Sequence, residues 1–344
     1  MSGVCVVASF MYDLVATAPR RPASGETLIG TSFATYVGGK GFNQAVAAAR
    51  AGAKTAVVGR VGEDSFGAEF HAFLAAEGID ANHLLTDAQH GTGVGLPVVE
   101  DSGLNSIIVI PRANQAVTVE DVEAARAAIE RSAVLLLQLE LPEAPTVHAA
   151  RIAHEAGATV VLNPAPFAAL PAEIRAYVDV LVPNEGELRG LAGDGSGGRA
   201  PVLAVAEAVQ SEWDCTLVVT LGEEGVLVLD LDVDPVTVPA HVVDVVDTIG
   251  AGDTFCGNLG ARLAAGDSLI DAVTYGNAAA AIAVTRHGGA PAAPRSDEVD
   301  VFVRREFFAD SGGIGKRRLT LMARENPIRR AVLQHKIKIF PNGE

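Results

Sequence analysis

"AVLLLQLELPEAPTVHAARIAHEAGATVVLNPAP", Ala133 to Pro166, reads as strand, helix, strand. Each apolar run is short, nearly continuous and rich in Val and Leu, and an Ala-rich helical stretch lies between them. The pattern repeats further on: "VDVLVPNE", "TLVVTLGEEG" and "GVLVLDLD" are strand-like, and "APVLAVAEAVQSEWD" is helical. Strands that are apolar throughout have both faces covered, and helices between them make a mostly parallel sheet. Towards the N-terminus come the strand "VCVVAS", the helix "GFNQAVAAARAG", the strand "TAVVGRVG" and a helix from about Ser65. The fold class is α/β.

Two segments break the rhythm, residues 13–38 and 91–111. There polar and apolar residues alternate without flanking helices, and "EDSG" suits a hairpin turn. They form a small antiparallel sheet outside the main one. Two readings stand: a lid over one side of a pocket, or ordinary edge hairpins.

Composition sets the outer limits. The chain has 344 residues, 49% of them hydrophobic, enough for one large core over residues 1–300. No apolar run reaches the roughly 18 residues needed to span a bilayer, so no membrane partner is expected. The opening "MSGVCVVASF" lacks a basic leader. Cys5, Cys215 and Cys256 are sparse and widely spaced, as suits a reducing, cytoplasmic setting. A net charge of −16 argues against nucleic-acid binding. Residues 301–344 differ, with 10 Lys/Arg against 4 Asp/Glu. They contain a linker-like "FFADSGGIGKRR" and are expected to form a loosely ordered basic extension, too short for a core of its own.

Ligands of open α/β sheets bind beyond the carboxyl ends of the strands. Glu140, Asn163, Asn184, Glu187, Thr220 and Gly222 all follow apolar runs. One Asn after a strand is an ordinary turn residue, but several successive strands ending this way describe a rim. Two glycine clusters open helices. In "VDTIGAGDTFCG" (Val246–Gly257) the helix begins between Gly250 and Asp253. Free N–H groups and the helix dipole there suit an anion, and glycine allows close approach. Asp253 is either an N-cap or a carboxylate with a task beside that anion. The natural task is to accept the proton of an alcohol attacking a phosphoryl group. In "YVGGKGFNQAVAAARAG", Gly38 and Gly39 permit backbone approach, and Lys40 and Asn43 supply donors. No P-loop motif and no GxGxxG after the first strand compete.

Together these residues resemble the ribokinase branch of the PfkB carbohydrate kinase family, over about Val4 to Pro294. The motifs carrying the resemblance are "GGKGFNQAVAAARAGA", "DTIGAGDTFCG", "QLELP", "LNPAP", "PNEGE", "VTLG" and "AAAAIAVTRHGGAP". The resemblance implies an α/β sandwich with a β lid that also pairs two subunits in a homodimer. It implies an ATP-dependent kinase acting on the O5 hydroxyl of a pentose, ribose first, with 2-deoxyribose or another family sugar or nucleoside as alternative. Asp253 would be the base, and the Gly250, Ala251 and Gly252 amides the anion hole. Met11, Asp13, Gly39, Lys40, Asn43 and Glu140 would face the sugar. Asn184, Thr220, Gly222, Gly225 and Asn277 would serve the nucleotide, with Gly252. Glu187 would act indirectly on Mg²⁺, and Asp247, Ile249, Ala283, Arg286 and Gly288 would hold K⁺.

The sequence departs from that family in four places. Met11 stands where the sugar motif has Asn, and a thioether lacks the amide's donors; a sugar short of one hydroxyl is then favoured. Ala292 replaces a Ser ligand of the monovalent ion, and Phe42 and Arg112 add bulk near the sugar pocket or lid. A catalytically idle sugar-binding regulator on the same fold would lack the base or the acid. Asp253, Asn184 and Glu187 are all present.

Overall fold

The strands of the computed structural model, which describes residues 2–102, 104–193, 198–231 and 233–310, fall into two sheets. They are β1 (Val4–Val7), β2 (Met11–Ala18), β3 (Ser32–Gly38), β4 (Thr55–Gly62), β5 (Asp80–Asp87), β6 (Gly93–Glu100), β7 (Asn105–Ile110), β8 (Val134–Leu137), β9 (Thr159–Leu162), β10 (Val180–Leu181), β11 (Thr216–Thr220), β12 (Val226–Leu229) and β13 (Val236–Val238). The helices are α1 (Lys40–Arg50), α2 (Ser65–Ala76), α3 (Val119–Ala124), α4 (Arg126–Arg131), α5 (Glu143–Glu155), α6 (Glu185–Leu191), α7 (Val202–Trp213), α8 (Ala251–Ala264), α9 (Leu269–Ala283) and α10 (Ser296–Asp310).

The main sheet runs β13-β12-β11-β10-β9-β8-β1-β4-β5. It is parallel from β5 to β11, and β12 and β13 add an antiparallel edge. Side chains alternate between two cores. Val134 and Leu136 of β8 pack with Phe42 and Val46 of α1 and Phe255 and Leu259 of α8. Leu135 and Leu137 pack with Ile152 of α5 and Leu188 of α6 on the other face. Each such side chain, once fully buried, contributes about 1.5–3 kcal/mol. This two-sided burial explains the continuous apolar runs.

The second sheet, β3-β2-β6-β7, stands on the two irregular segments. The hairpins β2–β3 and β6–β7 are antiparallel; Gly103 of the expected "EDSG" turn lies outside the described residues. Its central pair, β2 and β6, is parallel, because both strands leave the main sheet in the same direction, after β1 and β5. Exposed apolar side chains lie on both of its faces, Phe33 and Ile108 on one and Ile107 and Val109 on the other, each more than half exposed.

Three expectations need adjustment. Helix α10 runs through the boundary at residue 300, with Val299 buried and Phe302 and Val303 packed on Tyr275 and Ile282 of α9. The body therefore extends into the stretch assigned to the extension, and the first residues of "FFADSGGIGKRR" are helical; the rest of the extension lies outside the described residues. Phe42 adds no bulk to a pocket. It is fully buried, edge-on to Phe70 at 4.9 Å between ring centres. Arg112 sits in the left-handed region at φ 46°, where glycine is at ease. Its guanidinium donates to the Thr92 carbonyl at 2.9 Å, at the root of β6.

Candidate active site

Helices α1 and α8 begin side by side at the carboxyl end of the main sheet, and each starts on a glycine with no capping side chain. Elsewhere Asp64, Thr118, Asn184 and Ser268 cap their helices in the ordinary way. Gly39 takes φ 101° and Gly250 φ 73°, conformations that cost an L side chain about 1–2 kcal/mol. The reading of Asp253 as an N-cap therefore fails: Gly250 is the cap, and Asp253 lies in the first turn, turned inward and 7% exposed.

The close approach of α8 to α1 sets what Asp253 meets. A Cβ on Gly257 would fall 2.4 Å from the Gln44 carbonyl oxygen, so only glycine lets the helices pack this tightly. The Asp253 carboxylate then receives one hydrogen bond on each oxygen, from Asn43 Nδ2 at 3.0 Å and Gln44 Nε2 at 3.2 Å. Both amides are held the right way round by further bonds. Asn43 Oδ1 accepts from the Ala290 N–H at 3.0 Å, and Gln44 Oε1 accepts from Gln138 Nε2 at 2.7 Å. Gln44 Nε2 also reaches Asn163 Oδ1 at 3.3 Å. Neutral donors thus aim the carboxylate without neutralising it, and each oxygen keeps a lone pair for another proton.

A cavity of about 200 Å³ opens at this point, lined by Asp253, Gly250, Gly252, Lys40, Asn184, Glu187 and Thr220 among others. The first helical bond of α8 runs from Thr254 N–H to the Gly250 carbonyl, so the amides before it lack helical acceptors. Gly252 faces open space. Ala251 differs from the expectation: its N–H closes a turn onto the Thr248 carbonyl at 3.3 Å and must give up that bond to receive an anion. Burial disfavours the Lys40 ammonium, but the surrounding carboxylates of Asp253, Glu140 and Glu187 outweigh it and raise its pKa.

On one side of Lys40 lies a carboxylate pair. Glu140 accepts from Ser9 Oγ at 2.5 Å and from the Lys40 N–H at 2.8 Å. Burial still pushes it above the ordinary carboxylate range. Asp13 projects from β2 between two glycines of the neighbouring strands. A Cβ on Gly95 would sit 2.1 Å from one carboxylate oxygen and a Cβ on Gly38 3.0 Å from the other. Burial, then the nearby Glu140 charge, raises Asp13 to about 6. Met11, 5% exposed, turns its sulfur onto Asn114 Nδ2 at 3.2 Å. Asn114 in turn brackets the Phe10 backbone with bonds of 2.9 and 2.8 Å.

On the other side, Asn184 and Glu187 satisfy each other as a capping box, with both bonds at 2.8 Å, while lining the cavity. Burial pushes Glu187 above its ordinary pKa. Thr220 bridges to Asn184. Gly222, Gly225 and Asn277 are not on the cavity wall. The two glycines close a tight turn after β11, and Asn277 donates to the Pro239 carbonyl at 2.8 Å. Asp247 ties two loops, accepting from the N–H of Ile249 and of Gly288, each at 3.0 Å. The Ala283 carbonyl, expected as a cation ligand, accepts the Arg286 N–H at 3.0 Å. Ala292 adds no side-chain oxygen. Among the described residues no three His, Cys, Asp or Glu side chains converge as a metal site, and none of their helices is long and apolar enough to cross a membrane.

Sequence reading missed the amide chain Gln138–Gln44–Asn163 and the roles of Ser9, Asn114, Gly95 and Thr248. The available signal was a Gln on the otherwise small, apolar face of "FNQAVAAA", where a long amide needs a partner.

Comparison with known proteins agrees with this geometry. Residues 1–295 match the model of the pfkB family carbohydrate kinases. A ribokinase of Haemophilus influenzae is 37% identical over 298 residues, covering 87% of this chain and 97% of its own. A deoxyribokinase of Salmonella typhimurium is 34% identical over 255 residues, 74% of this chain and 83% of its own. The structure of Arabidopsis thaliana ribokinase complexed with ribose and ATP superposes with a TM-score of 0.81 at 27% identity, covering 88% of this chain and 99% of that one.

Proposed function

The chain belongs to the pfkB family of carbohydrate kinases, and on that premise we propose that it transfers the γ-phosphoryl group of ATP to the primary O5 hydroxyl of a pentose, D-ribose first. The observation that carries this reading is the Asp253 carboxylate, oriented by Asn43 and Gln44 on the wall of a cavity that also presents Gly250, Gly252 and Lys40. The sugar lies on the Asp13 and Glu140 side, with Gly39 and Asn43. The nucleotide phosphates lie on the Asn184, Glu187 and Thr220 side, and its base extends toward Gly222, Gly225 and Asn277.

Asp253 accepts the hydroxyl proton as O5 forms its bond to the γ-phosphorus. The bond from that phosphorus to the bridging oxygen breaks, and ADP leaves with the electron pair. The Gly250–Gly252 amides and Lys40 stabilise the charge on the transferring group. Glu187 would orient, indirectly, the Mg²⁺ that accompanies ATP, whose charge would offset that of the phosphates. Asp247 and the carbonyls of Ile249, Ala283, Arg286 and Gly288 would hold K⁺, whose charge would steady the turn beside Gly250. Closure of the small sheet over the sugar excludes water. The small sheet, with its exposed apolar side chains, pairs with a second copy.

Met11 favours a second reading, 2-deoxyribose as the preferred sugar. Its sulfur makes only a weak bond to Asn114 and offers no donor to a 2-hydroxyl. One unpaired buried hydroxyl costs about 1–3 kcal/mol. The test is ADP release with ribose, deoxyribose, fructose and nucleosides, with and without K⁺, for the native protein and for Met11→Asn. Sugar-dependent turnover, raised by K⁺, is expected, and Met11→Asn should raise the ribose-to-deoxyribose ratio of kcat/KM about tenfold or more. No turnover with any acceptor would sink the kinase reading, and an unchanged ratio would remove Met11 from sugar selection. Indifference to K⁺ would remove the cation site, and sedimentation as a monomer the pairing.

The raised Asp13 pKa gives a pH signature. Sugar hydroxyls donate to the ionised carboxylate, so KM for the sugar should climb as pH falls through about 6. Stability moves the other way. An acid whose folded pKa lies above its unfolded one favours the fold increasingly as pH drops from about 6 toward 4. A KM profile flat between pH 5 and 7, or one left unaltered by Asp13→Asn, contradicts Asp13 as a sugar ligand.

A further inference from the structure

Helix α1 carries a second functional end. Asn43 in its first turn meets Asp253, while Arg50 at its last residue reaches the loop after α9. Arg50 Nη1 points its two N–H groups at three backbone carbonyls of that loop, Ala290 and Pro291 at 3.0 Å and Ala293 at 2.7 Å, one of the hydrogens being shared. Its other edge forks Glu77, through Nη2 at 2.6 Å and Nε at 3.1 Å, and Glu77 also draws Arg295 to 3.2 Å. The side chains of Arg50 and Glu77 are 12% and 9% exposed. So many directed bonds on one little-exposed guanidinium hold a loop in one place.

That loop backs the anion turn. A Cβ on Gly250 would lie 2.7 Å from Gly289 Cα, so the two backbones are in direct contact. The next residue, Ala290, donates its N–H to Asn43, the amide that aims Asp253. Gly288 donates to Asp247, two residues before Ile249. Arg50 thus grips a short 3-10 turn, Ala290–Ala292, whose N-cap Gly289 touches Gly250 and whose first N–H bonds Asn43. Arg50 itself is absent from the cavity lining.

We infer that Arg50 is a positioning residue for phosphoryl transfer: by clamping the 290–293 carbonyls against Glu77 it fixes Gly289 and Ala290, and through them the Gly250–Gly252 turn and the Asn43–Asp253 pair. The inference rests on the kinase reading above, whose turn and base it positions. Displacements of about 1 Å at reacting groups cost up to about a hundredfold in rate, so a residue that touches no substrate can still govern kcat.

The experiment compares the full chain with Arg50→Gln and Arg50→Lys by steady-state kinetics and by hydrogen–deuterium exchange of peptides covering 246–256 and 286–294. Arg50→Gln is expected to lower kcat about 10- to 100-fold, with KM for ATP and sugar within about threefold. Exchange should rise in 286–294, which Arg50 touches, and also in 246–256, which it does not. Arg50→Lys, a point charge unable to serve both the fork and the carbonyls, should fall between. Faster exchange confined to 286–294, or unchanged kcat with only a lowered Tm, would overturn the inference and leave Arg50 a stabilising contact. Should Arg50→Gln fail to fold, Arg50→Lys decides by the same readouts. If the native protein turns over no sugar, the kinase reading fails separately, and the exchange pattern still decides whether Arg50 reaches the turn.

Discussion

Replacing Asp253 with Asn leaves ATP binding nearly intact and removes almost all sugar-dependent turnover, with kcat falling about 10²- to 10⁴-fold. The side chains are the same size, so packing against α1 survives. The carboxamide has lost the basic oxygen that receives the O5 proton. It also brings a local conflict. Asn43 Nδ2 and Gln44 Nε2 both point at residue 253, and each is locked in that sense by the Ala290 N–H or by Gln138. One face of the new NH₂ therefore meets a donor, at a cost of about 1–3 kcal/mol for the unpaired group. A modest fall in Tm should accompany the loss of rate. Titration calorimetry with ATP separates the two effects: affinity within a few-fold and kcat down by at least a hundredfold is the expected pair. A variant retaining more than a tenth of native kcat would show that the proton goes elsewhere.

How far such a site can be read without coordinates depends on whether each residue acts alone or through a distant partner. The β/α alternation was legible because parallel strands buried on both faces leave continuous apolar runs, such as "VLLL" of β8 (Val134–Leu137) and "TLVVT" of β11 (Thr216–Thr220). Strand β5, "DANHLLTD", was not, since it closes the sheet edge and only a few of its side chains are buried. The three-residue β13 is too short to carry a period. The glycine turns at Gly39 and Gly250 announced themselves by opening helices without caps. The amide chain did not. Nothing local says that Gln44 faces Asp253, 209 positions away, because that contact exists only once Gly257 lets α8 settle on α1. Phe42 misled for the converse reason: a large side chain beside a glycine turn looks pocket-facing, yet helical geometry turns it into the core with Phe10 and Phe70. The boundary at residue 300 falls inside helix α10, because the linker-like "FFADSGGIGKRR" overlaps the end of that helix.

Gly250→Ala and Gly252→Ala should both abolish most turnover, and for opposite physical reasons. At Gly250 the backbone is left-handed, and an added methyl group would stand 2.7 Å from Gly289 Cα and 3.2 Å from its carbonyl carbon. Neither atom belongs to a side chain that could swing aside, so the 250 turn and the 289 loop must part. Strain at such a position is of order 1–3 kcal/mol, read as a lowered Tm, and the anion donors move with the turn. At Gly252 the backbone is helical and nothing lies within 4 Å of the added methyl. Alanine there gains helix propensity of roughly 0.5–1 kcal/mol, so Tm should hold or rise. The methyl points into the cavity, where the transferring phosphoryl must approach the amides. Losing one well-placed donor of this kind costs about 10²- to 10³-fold in kcat. Thermal unfolding and turnover, measured on both variants, thus give a crossed pattern: one variant unstable and slow, the other stable and slow. A Gly252→Ala protein that is stable and fully active would mean that no phosphoryl charge rests on this turn, and the placement of the anion at the start of α8 would have to be abandoned.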